Sequence, residues 1–109
     1  MTPAGVELVD PARDEALLER VSDITFASQP EWCRPVPFLL QSFGFDPALQ
    51  RRLALLDGEP AGYASCGTIW MLAPDTPYAW VEIGVEPAAR GRGVGSALLA
   101  WARQQALAI

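Results

Sequence analysis

The chain has 109 residues, of which 50% are apolar and 19% charged, enough apolar material for one core but not for a disordered tail or several domains. A net charge of −5 and a pI near 4.5 argue against general binding to nucleic acid or to anionic membranes. All eight cationic residues are Arg and His is absent, which removes Ser-His-Asp and Cys-His triads and the commonest zinc ligand, so no metal site is expected.

In chain order, Val6 to Val9 is a predicted short strand. Asp10-Pro11, or Asp14 slightly later, supplies a helix start. Leu17, Leu18, Val21 and Ile24 then recur at helical spacing, opposite Glu15, Glu19, Arg20 and Asp23. Ser28 to Pro37 is Pro-rich and cannot be regular helix throughout. Phe38 to Phe43 reads as a short helix stopped by Gly44, with Asp46-Pro47 capping another turn through Gln50. Arg52 to Leu56, the turn Asp57-Gly58-Glu59-Pro60 and Ala61 to Leu72 read as a β-hairpin. A second turn, Ala73 to Pro77, leads to the strand Tyr78 to Val85. Finally Val94, Leu98, Trp101, Ala102 and Gln105 form a mostly apolar helical stripe. The order β-α-α-β-β-β-α, without repeats or linkers, predicts one α/β (α+β) domain over residues 1–109. Its sheet is expected to be mixed, mainly antiparallel, and flanked by helices.

Cys33 and Cys66 form no C-x-x-C motif, and two reduced thiols are expected ahead of a disulfide. No charged-then-apolar signal opens the chain and no apolar run reaches ~18 residues. A soluble, cytoplasmic protein is therefore expected, and the Arg-, Ala- and Pro-rich composition suggests a GC-rich bacterial source.

The most informative stretch is Val85 to Ser96, V-E-P-A-A-R-G-R-G-V-G-S. A strand that ends in an Arg/Gly loop and turns directly into a helix offers backbone N–H groups and a positive dipole end to an anion. The P-loop pattern G-x-x-x-x-G-K-[ST] fails because the chain has no Lys. The dinucleotide pattern G-x-G-x-x-G fits poorly, since Ser96 stands where its third Gly belongs. The pattern [Q/R]-x-x-G-x-[G/A] fits Arg90, Gly93 and Gly95, within V-x-P-x-x-R-G-x-G-x-G.

This stretch resembles the acetyl-CoA-binding motif of the GCN5-related N-acetyltransferase (GNAT) superfamily. The upstream hairpin Leu55 to Tyr63 and the element order are similar to that family too. The resemblance covers residues 5–108 and is most specific from Val81 to Leu98. It implies a partial acyl-CoA N-acyltransferase fold and acetyl transfer from acetyl-CoA to a small-molecule or peptide amine. The donor's pyrophosphate would lie on backbone amides of Arg90, Gly91, Arg92, Gly93, Val94, Gly95 and Ser96. Arg90 and Arg92 would add charge-assisted bonds or stay solvated. The pantetheine arm would pair with the strand edge from Ile83 to Val85, and an N–H near Val85 would polarise the thioester carbonyl.

Glu82 is the candidate general base through a water; its alternatives are a plain strand-face residue or a substrate contact. At the offset used by the histone-acetylating branch this chain has Ala79, and Glu86 reads as a solvated turn residue. Trp32, Phe38, Phe43 and Phe45 divide between an acceptor pocket and the core, with core packing expected. Glu31 is a weak pointer to a cationic acceptor. Family members continue after the loop helix with a strand, a helix and a final hairpin, and their usual acid is a Tyr on that later helix. That role cannot be carried over to Tyr63 or Tyr78. The chain is therefore expected to be a truncated member, either active or a catalytically incomplete CoA-binding or self-associating module. The exposed edge of the fourth strand is expected to drive homodimerisation or completion by another polypeptide.

Overall fold

The computed structural model describes residues 5–45, 48–68 and 79–108. Strand β1 (Val6–Val9) leads into helix α1 (Glu15–Ser28), then helix α2 (Val36–Phe45). The hairpin β2 (Gln50–Leu56) and β3 (Glu59–Thr68), strand β4 (Ala79–Val85) and helix α3 (Val94–Ala108) complete the order. The four strands form one sheet in the order β1-β2-β3-β4, and every pairing among them is antiparallel.

Local chemistry explains most boundaries. Asp14 caps α1, its Oδ1 accepting from the N–H groups of Ala16 and Leu17 at 3.0 and 3.2 Å, while the carboxylate also faces the positive end of the helix. Leu18, Val21 and Ile24 then fall on the buried face. The Pro-rich connection contains a single 3-10 turn, Pro30–Trp32. Asp57 and Gly58 both have positive φ, 51° and 86°, the backbone of a two-residue type I′ hairpin loop. The loop is therefore shorter than the expected four-residue turn, and β3 begins at Glu59.

Two expectations need correction. Gly44 does not stop α2, which runs from Val36 to Phe45. A helical Gly costs only about 1 kcal/mol, and Leu39, buried among Leu18, Val21 and Tyr63, with Leu40 packed against the same cluster, anchors the helix. Nor does a helical turn extend through Gln50, which already pairs with Cys66 in the sheet; Asp46 and Pro47 lie outside the described residues. The expected strand ends at Leu72 and Tyr78 and the turn Ala73 to Pro77 also lie outside them.

The sheet separates two apolar layers. On one face Leu18, Val21, Ile24, Leu39, Leu53 and Tyr63 join α1 and α2 to the strands. On the other, Ala54, Ala61 and Ala64 receive Val94, Ala97 and Leu98 of α3. Small sheet residues let α3 come close: a Cβ on Gly62 would lie 2.9 Å from Val94 Cγ1 and 3.0 Å from Leu98 Cδ1. Gly62 is thus what sets the N-terminal half of α3 against the sheet, next to the loop that precedes it.

Among the described residues, β4 has no strand on its second edge. Glu86 N–H donates to the Ala61 carbonyl at 2.8 Å. Because antiparallel ladders alternate, Ile83 and Val85 must direct their N–H and C=O groups away from β3. The Ile83 carbonyl accordingly accepts a bond from Gln29 Nε2, at 3.1 Å, on that outer edge. No described helix is long and apolar enough to cross a membrane, and no disulfide joins Cys33 to Cys66.

Candidate functional site

After β4 the chain makes one 3-10 turn, Pro87–Ala89, closed by Ala89 N–H donating to the Glu86 carbonyl at 2.8 Å. Ala89 is buried and pins the loop to the core. Gly91 and Gly93 then adopt φ of 79° and 86°, a left-handed backbone that costs an L side chain about 1–2 kcal/mol. Ala97 N–H closes the first turn of α3 on the Gly93 carbonyl at 3.0 Å. The N–H groups before it, from Val94 to Ser96, belong to the first turn and have no intrahelical acceptor.

An open cleft of about 410 Å³ lies along this loop, lined by Val85, Ala89, Arg90, Gly91, Gly93, Gly95 and Ser96. The glycines keep it open. A Cβ on Gly91 would meet nothing within 4 Å, and one on Gly95 would meet only Val85 Cγ2, at 3.5 Å. Their lack of a side chain is not a packing need and leaves backbone amides approachable.

The sequence-predicted residues divide around this cleft. Val85, Arg90, Gly91, Gly93, Gly95 and Ser96 line it together. Val94 is buried, 1% exposed, and supports the loop from below. Arg92 turns toward the β2–β3 loop, where its Nη2 lies 3.5 Å from Asp57 Oδ2. Both side chains of that pair are more than half exposed, so the pair adds little stability. Ile83 is half-buried on the outer edge of β4, its carbonyl held by Gln29.

Glu82 faces α1 and α2, in a polar cluster inside an otherwise apolar layer. Tyr63 Oη donates to Glu82 Oε1 at 2.6 Å, and Arg34 Nη2 donates to Glu82 Oε2 at 2.9 Å. Burial and then the Glu82 bond push the Tyr63 phenol far above its ordinary range, so the phenol keeps its proton and acts as a fixed donor. Arg51 lies behind them, 5% exposed, donating to the Leu39 carbonyl at 2.9 Å. Burial pulls its pKa down to about 10, opposed by the Glu82 charge, and it stays cationic at neutral pH. Among the described residues each Glu82 oxygen has one protein donor and retains a second lone pair for a water.

Sequence reasoning singled out Glu82 and missed its partners. Strand parity could have placed Arg51 and Tyr63 on the Glu82 face, since Arg51 pairs with Ser65 and Ser65 with Glu82. Nothing local signals Arg34, which arrives from the connection between the helices. Phe38 is exposed and lies under Arg34, whose Cζ is 5.1 Å from the ring centroid. It is therefore not the core residue expected. The side chains of Trp32, Phe43 and Phe45 lie outside the described residues.

The sequence pattern of the acetyltransferase (GNAT) family matches residues 15–109. The chain belongs to this GNAT family. The fold is similar to that of a GNAT superfamily phosphinothricin acetyltransferase from Sinorhizobium meliloti, solved in complex with AcCoA. That match has a TM-score of 0.74 and 22% identity, over 95% of this chain and 60% of that one. A putative acetyltransferase from Salmonella typhimurium, solved with its cofactor acetyl-CoA, matches at TM-score 0.70 and 17% identity, over 95% and 64%. A putative GNAT-family acetyltransferase from Desulfovibrio desulfuricans matches at 0.64 and 25%, over 94% and 66%. The GNAT chain described here thus spans less than two thirds of the length of the first two structures. None of the curated proteins matches it.

Proposed function

We propose that this GNAT domain, residues 1–109 acting as one unit, binds acetyl-CoA along the 85–96 loop and transfers its acetyl group to an amine. The observation that carries the reading is the glycine-lined cleft at the start of α3, opening beside Val85 on the free edge of β4. The residues fit the co-substrate. Backbone amides from Arg90 to Ser96, with Arg90 as a cationic neighbour, would hold the pyrophosphate, and Arg92 would join them on exchanging Asp57 for phosphate. The outward N–H of Ile83 and the outward N–H and C=O of Val85 would pair with an extended arm, and the Val85 N–H would polarise the thioester carbonyl. Acetyl-CoA supplies the acyl group. The amine nitrogen bonds to the carbonyl carbon as the carbon–sulfur bond breaks, and the CoA thiolate that leaves takes its proton from water. Glu82, through a water on its remaining lone pair, takes the proton released by the amine.

Calorimetry with acetyl-CoA tests donor binding. Wild type is expected to bind, and Gly93→Val to bind about tenfold or more weakly, because the left-handed φ of Gly93 resists a β-branched residue and the side chain intrudes on the cleft. No binding by wild type, or equal affinity in the variant, would remove the reading. A free-thiol release assay over a panel of amines then separates a catalyst from a passive binder.

A second reading, a catalytically incomplete CoA-binding or self-associating module, is favoured by the two protein donors already on Glu82. The free edge of β4, with Val81 42% exposed, supports homodimerisation through this strand. Analytical ultracentrifugation is expected to show concentration-dependent association, and a clean monomer at all concentrations would count against it. A cytoplasmic setting accords with the acidic charge balance and the family's co-substrate.

A further inference from the structure

We infer that the acceptor carries an anionic group, a carboxylate near its reacting amine, and that Arg34 is the residue that recognises it. The inference rests on the acetyl-transfer reading above and names its acceptor class.

Arg34 is fixed in a way that surface arginines are not. Its backbone N–H donates at 2.8 Å to the hydroxyl of Thr25, itself wholly buried. Its guanidinium rests over Phe38 and reaches Glu82 through Nη2. The ring and the carboxylate together set the plane of the fork, and the side chain remains 27% exposed. Among the described residues, Nη2 is the only guanidinium nitrogen of Arg34 with a protein acceptor. A planar fork held in place with donors left for a guest is suited to a carboxylate, which takes two parallel bonds.

The neighbours leave Arg34 as the cation a guest can reach. Tyr63 is an O–H donor to Glu82 and carries no charge, and Arg51 is 5% exposed, whereas the Arg34 side chain is 27% exposed. Glu31, the pointer to a cationic acceptor, is exposed and makes no bond to the cluster.

Position links this group to the chemistry. Glu82 immediately precedes Ile83, whose carbonyl, bonded by Gln29, lies on the outer edge of β4. An acceptor with its carboxylate on Arg34 would present its amine between Glu82 and that edge.

The test pairs L-amino acids with their carboxamides, which share the amine and side chain but lack the charge. Each pair is assayed for acetyl transfer and titrated into the protein by NMR. The acid is expected to give a kcat/KM about tenfold or more above the amide. Arg34→Gln should abolish that preference through KM, and Arg34→Lys should keep part of it. Equal use of both members, a preference for the amide, or a preference that survives in Arg34→Gln would overturn the inference. So would failure of both members to bind. Calorimetry with acetyl-CoA on Arg34→Gln keeps the two readings apart: unchanged donor affinity leaves donor binding standing whatever the acceptors do.

Discussion

Replacing Glu82 by Gln is expected to slow acetyl transfer about a hundredfold, the lower end of what a positioned general base contributes, with affinity for acetyl-CoA nearly unchanged. The carboxamide has almost the shape of the carboxylate, and its oxygen can still accept from Tyr63, so the packing between β3 and β4 should survive. What is lost is an oxygen able to take a proton, together with the ion pair to Arg34. That pair is 27% and 20% exposed on its two sides, and water can resolvate the guanidinium, so a large loss of stability is not expected. The proposed donor contacts lie on the 85–96 loop and on backbone groups of Ile83 and Val85, which a side-chain change at 82 leaves in place. The measurement is kcat against pH for both proteins, with acetyl-CoA calorimetry alongside. Superimposable profiles would show that Glu82 only positions Arg34 and Tyr63, and would favour the incomplete module over the catalyst.

The largest effect on stability should come from Gly84→Ala. A Cβ at this position would lie 2.8 Å from Ser28 Oγ and 3.1 Å from Tyr63 Cδ1, and closer still to Tyr63 Cε1. Tyr63 is paired with Gly84 across the two strands, and its ring occupies the space that any other residue at 84 would fill. The ring cannot turn away, because it is almost wholly buried and its hydroxyl is bonded to Glu82. Ser28 is held as well, its hydroxyl donating to the Ile24 carbonyl at 2.6 Å. Overpacking against two restrained neighbours should cost about 3 kcal/mol, which for a domain of this size lowers Tm by roughly 10–20 °C. Thermal unfolding followed by circular dichroism would measure it, and a fall of less than about 3 °C would disprove the argument. Combined with Tyr63→Leu, which removes the obstructing ring, the alanine should cost much less, so the pair should be strongly non-additive.

The features readable in advance were those with local causes. Strand β1 falls where alternating apolar residues precede Asp10. Asp14 caps α1 because a carboxylate two and three residues before free N–H groups satisfies them without tertiary help. Asp57-Gly58 makes its hairpin because those residues tolerate positive φ. The glycine loop was legible for the same reason, its spacing reflecting backbone conformation.

What escaped was decided at a distance. Gly44 lies inside α2, whose Leu39 is anchored by residues of α1 and the sheet, a force that outweighs local helix propensity. Arg92 points to Asp57, thirty-five positions earlier in the chain, because the β2–β3 turn ends beside the loop. The Arg34, Tyr63 and Glu82 cluster draws on a connection and two strands. It becomes visible only once the strand register is known. The sequence places Tyr63 only at the end of its hairpin, whereas in the fold it joins the core to the Glu82 cluster.

Gln29 gives the open edge of β4 a further property. Its side-chain amide already satisfies the Ile83 carbonyl, and solvent can serve the other outward groups. An extended guest lying along this edge therefore exchanges one set of hydrogen bonds for another, an exchange of small net free energy. The strand can act as a ruler, fixing how far along β4 such a guest advances, while contributing little to how tightly it is held. Grip must come from the amides at the start of α3, and a reactive atom at the far end of the guest would be placed by counting residues along the strand.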